Sequence, residues 1–210
     1  VYMYYGNPSA SSGSNQEAVG CYNPTGSYDY CYEIYWYAPD DTSLTKWILY
    51  DGDGSGSNNQ GGYDSNQQAL WIKASGSGGE SAYYKENVTG ITQNSPYTVV
   101  LKMYLKLDSD DSWPAPRHGI GFSSCYPPSG TGWHGSGDRA YFSDNGNKND
   151  QMKAVVSNDD SLTSSSAWTY SDAIWMWYEI RATTSEVKFY QGGSLKATLT
   201  SNIPINETLI

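Results

Sequence analysis

Along residues 97–107 apolar and polar side chains alternate. Tyr97, Val99, Leu101, Met103, Leu105 and Leu107 take the odd positions, with Lys102, Tyr104 and Lys106 between them. A period of two sends successive side chains to opposite faces, so the spacing predicts a half-buried strand. Residues 174–182 repeat the pattern: Ile174, Met176, Tyr178, Ile180 and Ala182 share one face, and Trp175, Trp177, Glu179 and Arg181 share the other. Two further alternating runs, 186–191 and 194–200, flank Gly192 and Gly193, the pair that a tight two-residue hairpin turn demands. Three consecutive antiparallel strands are therefore predicted near the C-terminus. Shorter strands are predicted at 2–5, 28–37, 47–50, 69–74, 81–85, 119–123, 140–143, 151–156 and 168–170. The Ser-, Gly- and Asn-rich stretches at 9–16, 54–66 and 128–137 are predicted to be loops. Many short strands with turn residues between them predict an all-β fold, an antiparallel β-sandwich or jelly roll, and not a βαβ fold.

Composition agrees with that reading. The 210 residues are enough for one sizeable all-β domain. There are 20 Tyr and 8 Trp but only 3 Phe, a balance that suits strands with one wet face, where a ring can be buried and its polar end solvated. The net charge of −10 repels phosphate backbones and anionic membranes, which argues against nucleic acid as a partner. It fits an extracellular surface, a neutral polymer ligand or cation binding, and equally a charge that only keeps the protein soluble. No run of about 18 apolar residues is present to span a membrane. The first residues lack the basic and apolar regions of a signal peptide, so a mature or trimmed segment of a longer chain is expected. Cys21 and Cys31 bracket a short loop and are candidates for a disulfide in an oxidising compartment, leaving Cys125 over. Two His and no Cys-x-x-Cys make zinc a poor alternative. Asn87 and Asn206 each begin an Asn-x-Thr glycosylation triplet. Together these features predict an extracellular or cell-surface location.

From about Tyr35 to Leu209 the order of segments resembles a concanavalin A-like (laminin-G-like) lectin/glucanase sandwich. The pieces that carry the resemblance run from Asp41–Trp47 into Asp51, Gly52, Asp53 and Gly54. They continue through Ala69–Ile72, Tyr97–Leu101 and Gly119–Phe122, and close with Trp177–Arg181, Val187–Tyr190 and Gly193–Leu195. Residues 1–10 resemble the tail of an uncharacterised domain that precedes such sandwiches in prokaryotic, often archaeal, cell-surface proteins. The resemblance implies an N-terminal segment over 1–34 and a sandwich over 35–210. It also implies one more strand than this chain supplies, which a neighbouring copy could donate in a layer or filament. A structural Ca²⁺ is a further implication, with Asp51 and Asp53 as candidate ligands.

The candidate chemistry favours binding. Glycosidic cleavage on such a fold needs two carboxylates flanking the bond, and the Glu-x-Asp-x-(x)-Glu clusters of the glucanase branch are absent. Glu33, in Tyr32–Trp36, resembles a glucanase nucleophile strand but sits far too early and lacks a partner. Glu179 has Arg181 beside it on the same face, an ion pair that suits a structural carboxylate better than a general acid. His118 and His134 are the only imidazoles, and neither stands in a nucleophile signature. Sugar rings, by contrast, present apolar C–H faces that stack on indole and phenol rings, and their hydroxyls take polar partners. Trp133, Trp175, Trp177, Arg181 and Tyr190 are the candidate carbohydrate-binding residues; core or inter-subunit aromatics are the competing explanation. The expected function is a non-catalytic extracellular module for adhesion or glycan binding. A structural subunit assembled by strand exchange, or a sandwich-type glycoside hydrolase, is the alternative.

Overall fold

A computed structural model describes residues 19–22, 28–31, 42–44, 47–51, 59–74, 82–86, 91–92, 99–107, 119–123, 138–144, 151–159, 161–171, 173–204 and 208–209. Every regular element among them is a strand. In chain order these are β1 (Val19–Tyr22), β2 (Tyr28–Cys31), β3 (Trp47–Asp51), β4 (Asn59–Asp64), β5 (Ala69–Ala74), β6 (Ala82–Glu86), β7 (Ile91–Thr92) and β8 (Val99–Lys106). They continue with β9 (Gly119–Ser123), β10 (Arg139–Asp144), β11 (Gln151–Asn158), β12 (Ser161–Ser164), β13 (Trp168–Thr169), β14 (Trp175–Ala182), β15 (Val187–Gln191), β16 (Ser194–Leu199) and β17 (Thr208–Leu209). No helix among the described residues is long and apolar enough to cross a membrane.

The chain divides into two compact units, Val1–Tyr37 and Ala38–Ile210. In the first, β1 and β2 form an antiparallel hairpin. The second holds two main antiparallel sheets, one ordered β12-β11-β10-β9 with β13 also on β11, the other ordered β16-β15-β14-β8. Three two-stranded pairs, β3-β6, β4-β5 and β17-β7, complete it. The fold is an all-β antiparallel sandwich.

The predicted alternation is what lets the two sheets meet. Tyr178, Ile180 and Ala182 of β14, Val187 and Phe189 of β15, and Leu199 of β16 are buried in one core with Phe122 of β9, Ala140 and Phe142 of β10, and Met152, Ala154 and Val156 of β11. Phe142 stands edge-on to Phe189 at 5.2 Å and to Tyr178 at 5.4 Å, so one ring from the first sheet meets two from the second. Edge-to-face pairs of this kind add about 0.5–1.5 kcal/mol each beyond the area they bury. A buried polar clasp also crosses between the sheets: the Trp168 indole donates to Gln191 Oε1 at 2.7 Å, and Gln191 Nε2 reaches Tyr178 Oη at 3.5 Å.

The other face of β10 is buried as well, although it is polar. Arg139, Tyr141 and Ser143 alternate with Ala140 and Phe142, and all five are buried. Gly121 on β9 makes this possible. A Cβ there would lie 2.1 Å from the Ala140 carbonyl oxygen and 2.5 Å from Tyr141 Cβ, so only glycine lets the strands close. Burial pushes the Tyr141 hydroxyl above its ordinary ionisation range, and the Arg139 charge pulls it partly back.

The hairpin turn has the predicted geometry: Gly192 and Gly193 have φ of 57° and 78°, the left-handed pair of a two-residue primed turn. Other expectations need correction. Residues 54–66 are not all loop, because 59–64 form β4, paired residue for residue with β5. Its sequence, Asn-Gln-Gly-Gly-Tyr-Asp, shows no alternation to announce it. Gly62 lies opposite Trp71, and the space where its Cβ would stand is closed by the Trp71 indole at 3.2 Å. Ile174 is exposed instead of joining the core face, since it precedes β14. The polar strand β12 was not expected either; it is held by its pairing to β11. The predicted strand at 2–5 lies outside the described residues.

Two measurements check this core. Phe142→Ala should cost about 3–5 kcal/mol by the urea midpoint, the range for emptying a large buried ring site. Near pH 10 and above, unfolded tyrosine loses its proton before Tyr141 does in the fold, so the unfolded state gains and stability falls as pH rises. Tyr141→Phe should make the fall in urea midpoint between about pH 10 and 11 shallower than in the wild type; parallel slopes would contradict it.

Candidate functional site

The outward face of the β16-β15-β14-β8 sheet gathers the aromatic and charged side chains. Because β14 pairs with β8 on one side and β15 on the other, register alone fixes which residues are neighbours. Trp175 lies opposite Lys106, Trp177 opposite Tyr104, and Glu179 opposite both Lys102 and Tyr190. Arg181 lies between Val100 and Lys188. Since Met176, Tyr178, Ile180 and Ala182 point inward, the residues between them are forced outward.

The face has an aromatic end and an ionic end. At the first, Tyr104 stacks on Trp175 with centroids 5.4 Å apart and meets Trp177 at 5.1 Å in a tilted pair. Trp177 is 48% exposed and Tyr104 51%, large fractions for rings of this size in a folded sheet. Trp175 is more enclosed, and its indole donates to Gln67 Oε1 at 3.3 Å. Gln67 sits at the tip of the β4-β5 hairpin, whose turn is fixed by Asp64: its Oδ1 accepts from the backbone N–H of Asn66 at 2.8 Å and of Gln67 at 3.2 Å.

At the ionic end Glu179 lies between two cations. Its Oε1 accepts from Arg181 Nε, and its Oε2 is 3.9 Å from Lys102 Nζ. Each cation also rests on a ring: Lys102 Nζ is 4.9 Å from the Trp177 centroid, and Arg181 Cζ is 4.8 Å from that of Tyr190. Lys188 pairs with Glu186, whose carboxylate raises the lysine's ionisation range. Exposed ion pairs contribute only about 0–1 kcal/mol to stability, so their main effect is to hold long side chains in place. The result is a rigid run of rings flanked by charged hydrogen-bonding groups, with about 20 Å between Trp175 and Arg181 along the strand.

Four of the five candidate carbohydrate-binding residues, Trp175, Trp177, Arg181 and Tyr190, thus share one surface. Trp133 lies outside the described residues. So do Asp53, Cys125, Asn87, Asn206, His118 and His134, and so does the side chain of Asp51, the last residue of β3. No three His, Cys, Asp or Glu residues come together as metal ligands among the described residues. In the β1-β2 hairpin Cys21 lies opposite Asp29 and Cys31 opposite Val19, so the two cysteines are diagonal neighbours on paired strands. Tyr104 and Lys102 were not expected at this site, although their outward position on β8 was plain. What was missing was the β8–β14 register that sets them beside Trp177 and Glu179. Gln67 gave no signal at all, being 108 residues from its partner.

The buried polar face of the other sheet offers a different set, Arg139, Tyr141, Ser143 and Ser157, and just before β10 Asp138 is also buried, its Oδ1 accepting from the Asp159 backbone N–H at 2.6 Å.

No protein-family model matches the sequence, and no curated protein matches it. Among solved structures the chain is similar to a native glycosidic hydrolase, at 14% identity and a TM-score of 0.44, over 79% of this chain and 75% of that one. It is similar to the Bacillus licheniformis β-glucanase, at 16% identity and a TM-score of 0.48, over 83% and 81%. A third is a prokaryotic β-1,3-1,4-glucanase (lichenase) from a mouse hindgut metagenome, at 10% identity and a TM-score of 0.45, over 79% and 78%. Likeness at this level decides nothing about the activity of this chain.

If the rings form one packed unit, Tyr104→Ala and Trp177→Ala should not be additive. A double-mutant cycle on urea unfolding should return a coupling of about 0.5–1.5 kcal/mol, and a value near zero would show rings that only happen to be adjacent.

Proposed function

We propose that this chain is a glycan-binding domain and that the outward face of β8, β14 and β15 is its contact surface. The observation that carries this reading is the run of Trp175, Tyr104 and Trp177, in which Tyr104 stacks on Trp175 and tilts against Trp177, with Tyr104 and Trp177 open to water beside the Glu179–Arg181–Lys102 group. Exposed aromatic surface costs free energy, and a fold with a separate, well-filled core gains nothing from placing it there. A sugar ring covers it with its apolar face while its rim hydroxyls meet the carboxylate, guanidinium and ammonium groups. In its fuller form the reading places the domain outside the cell as a non-catalytic adhesion module.

Glycoside hydrolysis is the second reading, and the names of the similar solved structures side with it. It requires two carboxylates across a glycosidic bond. On the outward face Glu179 is held by Arg181 and Lys102, and Glu186 by Lys188. Assembly by strand exchange is less favoured by the described edges. In β16 the pairing shifts between Phe189↔Ala197 and Tyr190↔Leu195, which leaves Lys196 in a bulge, and a bulge with a lysine discourages edge-to-edge pairing.

Titration of the intact chain with a panel of oligosaccharides tests the proposal. Trp177→Ala and Tyr104→Ala should each weaken binding about tenfold, equivalent to roughly 1.4 kcal/mol, with the fold intact by circular dichroism. Binding that is absent in the wild type, or unchanged in both variants, overturns it. Release of reducing sugar from a bound glycan would establish the hydrolase instead. A calcium ion at Asp51 and Asp53 belongs to the same proposal, and EDTA should then lower the melting temperature; an unchanged value removes the ion from it.

A further inference from the structure

The chain-wide charge of −10 predicts a ligand that is neutral or cationic. The charge is not evenly spread. Strand register places Lys102, Lys106, Arg181 and Lys188 on the outward face of β8, β14 and β15 together with Glu179, and Glu186 pairs with Lys188 just before β15, so among the described residues four cations meet two carboxylates. Both carboxylates are already engaged, Glu179 with Arg181 and Lys102, and Glu186 with Lys188. Lys106 is exposed beside Trp175 and meets no carboxylate among the described residues. Arg181 commits one donor, Nε, to Glu179 and rests on Tyr190, so its terminal nitrogens meet no partner among the described residues. Among the described residues, the positive groups without a carboxylate of their own or with donors to spare therefore stand at the two ends of the aromatic run, Lys106 beside Trp175 and Arg181 beyond Trp177.

We infer that the glycan taken by this face is a carboxylated one, a polymer of uronic acid residues; the inference rests on the glycan-binding reading of the same surface. A uronate ring keeps the apolar C–H patches that stack on Trp177 and Tyr104. Its carboxylate projects from the ring edge, where a cation beside the aromatic run reaches it and one above the ring does not. Arginine suits this task, because its planar fork matches a carboxylate in two parallel hydrogen bonds. A neutral sugar can accept hydrogen bonds from these cations but leaves their charge uncompensated. Repulsion from the acidic remainder of the chain does not prevent the encounter, since charges more than about 10 Å away are largely screened at 0.1 M salt.

The experiment compares binding of the intact chain to polygalacturonate, to the same polymer fully methyl-esterified, and to dextran sulfate, all in 0.1 M salt. Polygalacturonate should bind about tenfold or more tightly than its ester, which keeps the ring and loses the charge. Lys106→Glu, at a position with no ion pair among the described residues, should weaken the polygalacturonate complex about five- to tenfold and the ester complex less, with the melting temperature as in the wild type. Equal binding of the two pectic polymers overturns the inference and leaves the glycan-binding reading standing. Dextran sulfate, a polyanion without carboxylates, binding as strongly as polygalacturonate marks a general polyanion surface and also overturns it. Retention of none of the three, together with no binding in the oligosaccharide panel, removes both.

Discussion

The edge-on contact of Phe142 with Phe189 and Tyr178 is the interaction on which the rest of the structure depends. It joins β10 of one sheet to β14 and β15 of the other, and the remaining core residues pack around it with little room for a second arrangement. An alternating strand has only two ways to face. Once Phe189 and Tyr178 are committed to the core, the side chains between their inward neighbours are committed to water. The surface is thus fixed from inside.

That coupling explains why the aromatic face is ordered without being buried. Trp177 sits between Met176 and Tyr178, and Glu179 and Arg181 flank Ile180, so each outward group is anchored by an inward one on the same strand. Lateral contacts do the rest. Tyr104 rests against both indoles, Gln67 holds Trp175 at the edge, and Glu179 ties Arg181 to Lys102. A surface whose side chains are already held loses little conformational entropy when a ligand lies on it, and such preorganisation raises affinity without adding contacts.

The two sheets use their second faces differently. On β14 the face away from the core is exposed and mixes rings with charges; on β10 the corresponding face is buried, with Arg139, Tyr141 and Ser143 held out of bulk water. A buried polar face is costly unless its groups are satisfied, and the close approach at Gly121 shows how tightly this one is built. Of the two faces, only the exposed one is accessible to solvent without first opening the fold.

The sequence by itself determined the class of fold, the longer strands and the division of each into an inner and an outer face. These depend on side-chain period and turn chemistry, which are local: the alternation in β8 and β14 and the Gly192–Gly193 turn were legible for that reason. It also marked Trp175, Trp177, Arg181 and Tyr190 as outward or candidate binding groups. Tertiary structure alone decided which of them are neighbours, because the β8–β14 pairing joins segments about seventy residues apart and its register depends on how both strands fill one core. It alone brought in Tyr104, Lys102 and Gln67, made a strand of the polar β4, and set Lys102, Lys106, Arg181 and Lys188 on one face of three paired strands. Composition averages over a surface, whereas strand register sorts it.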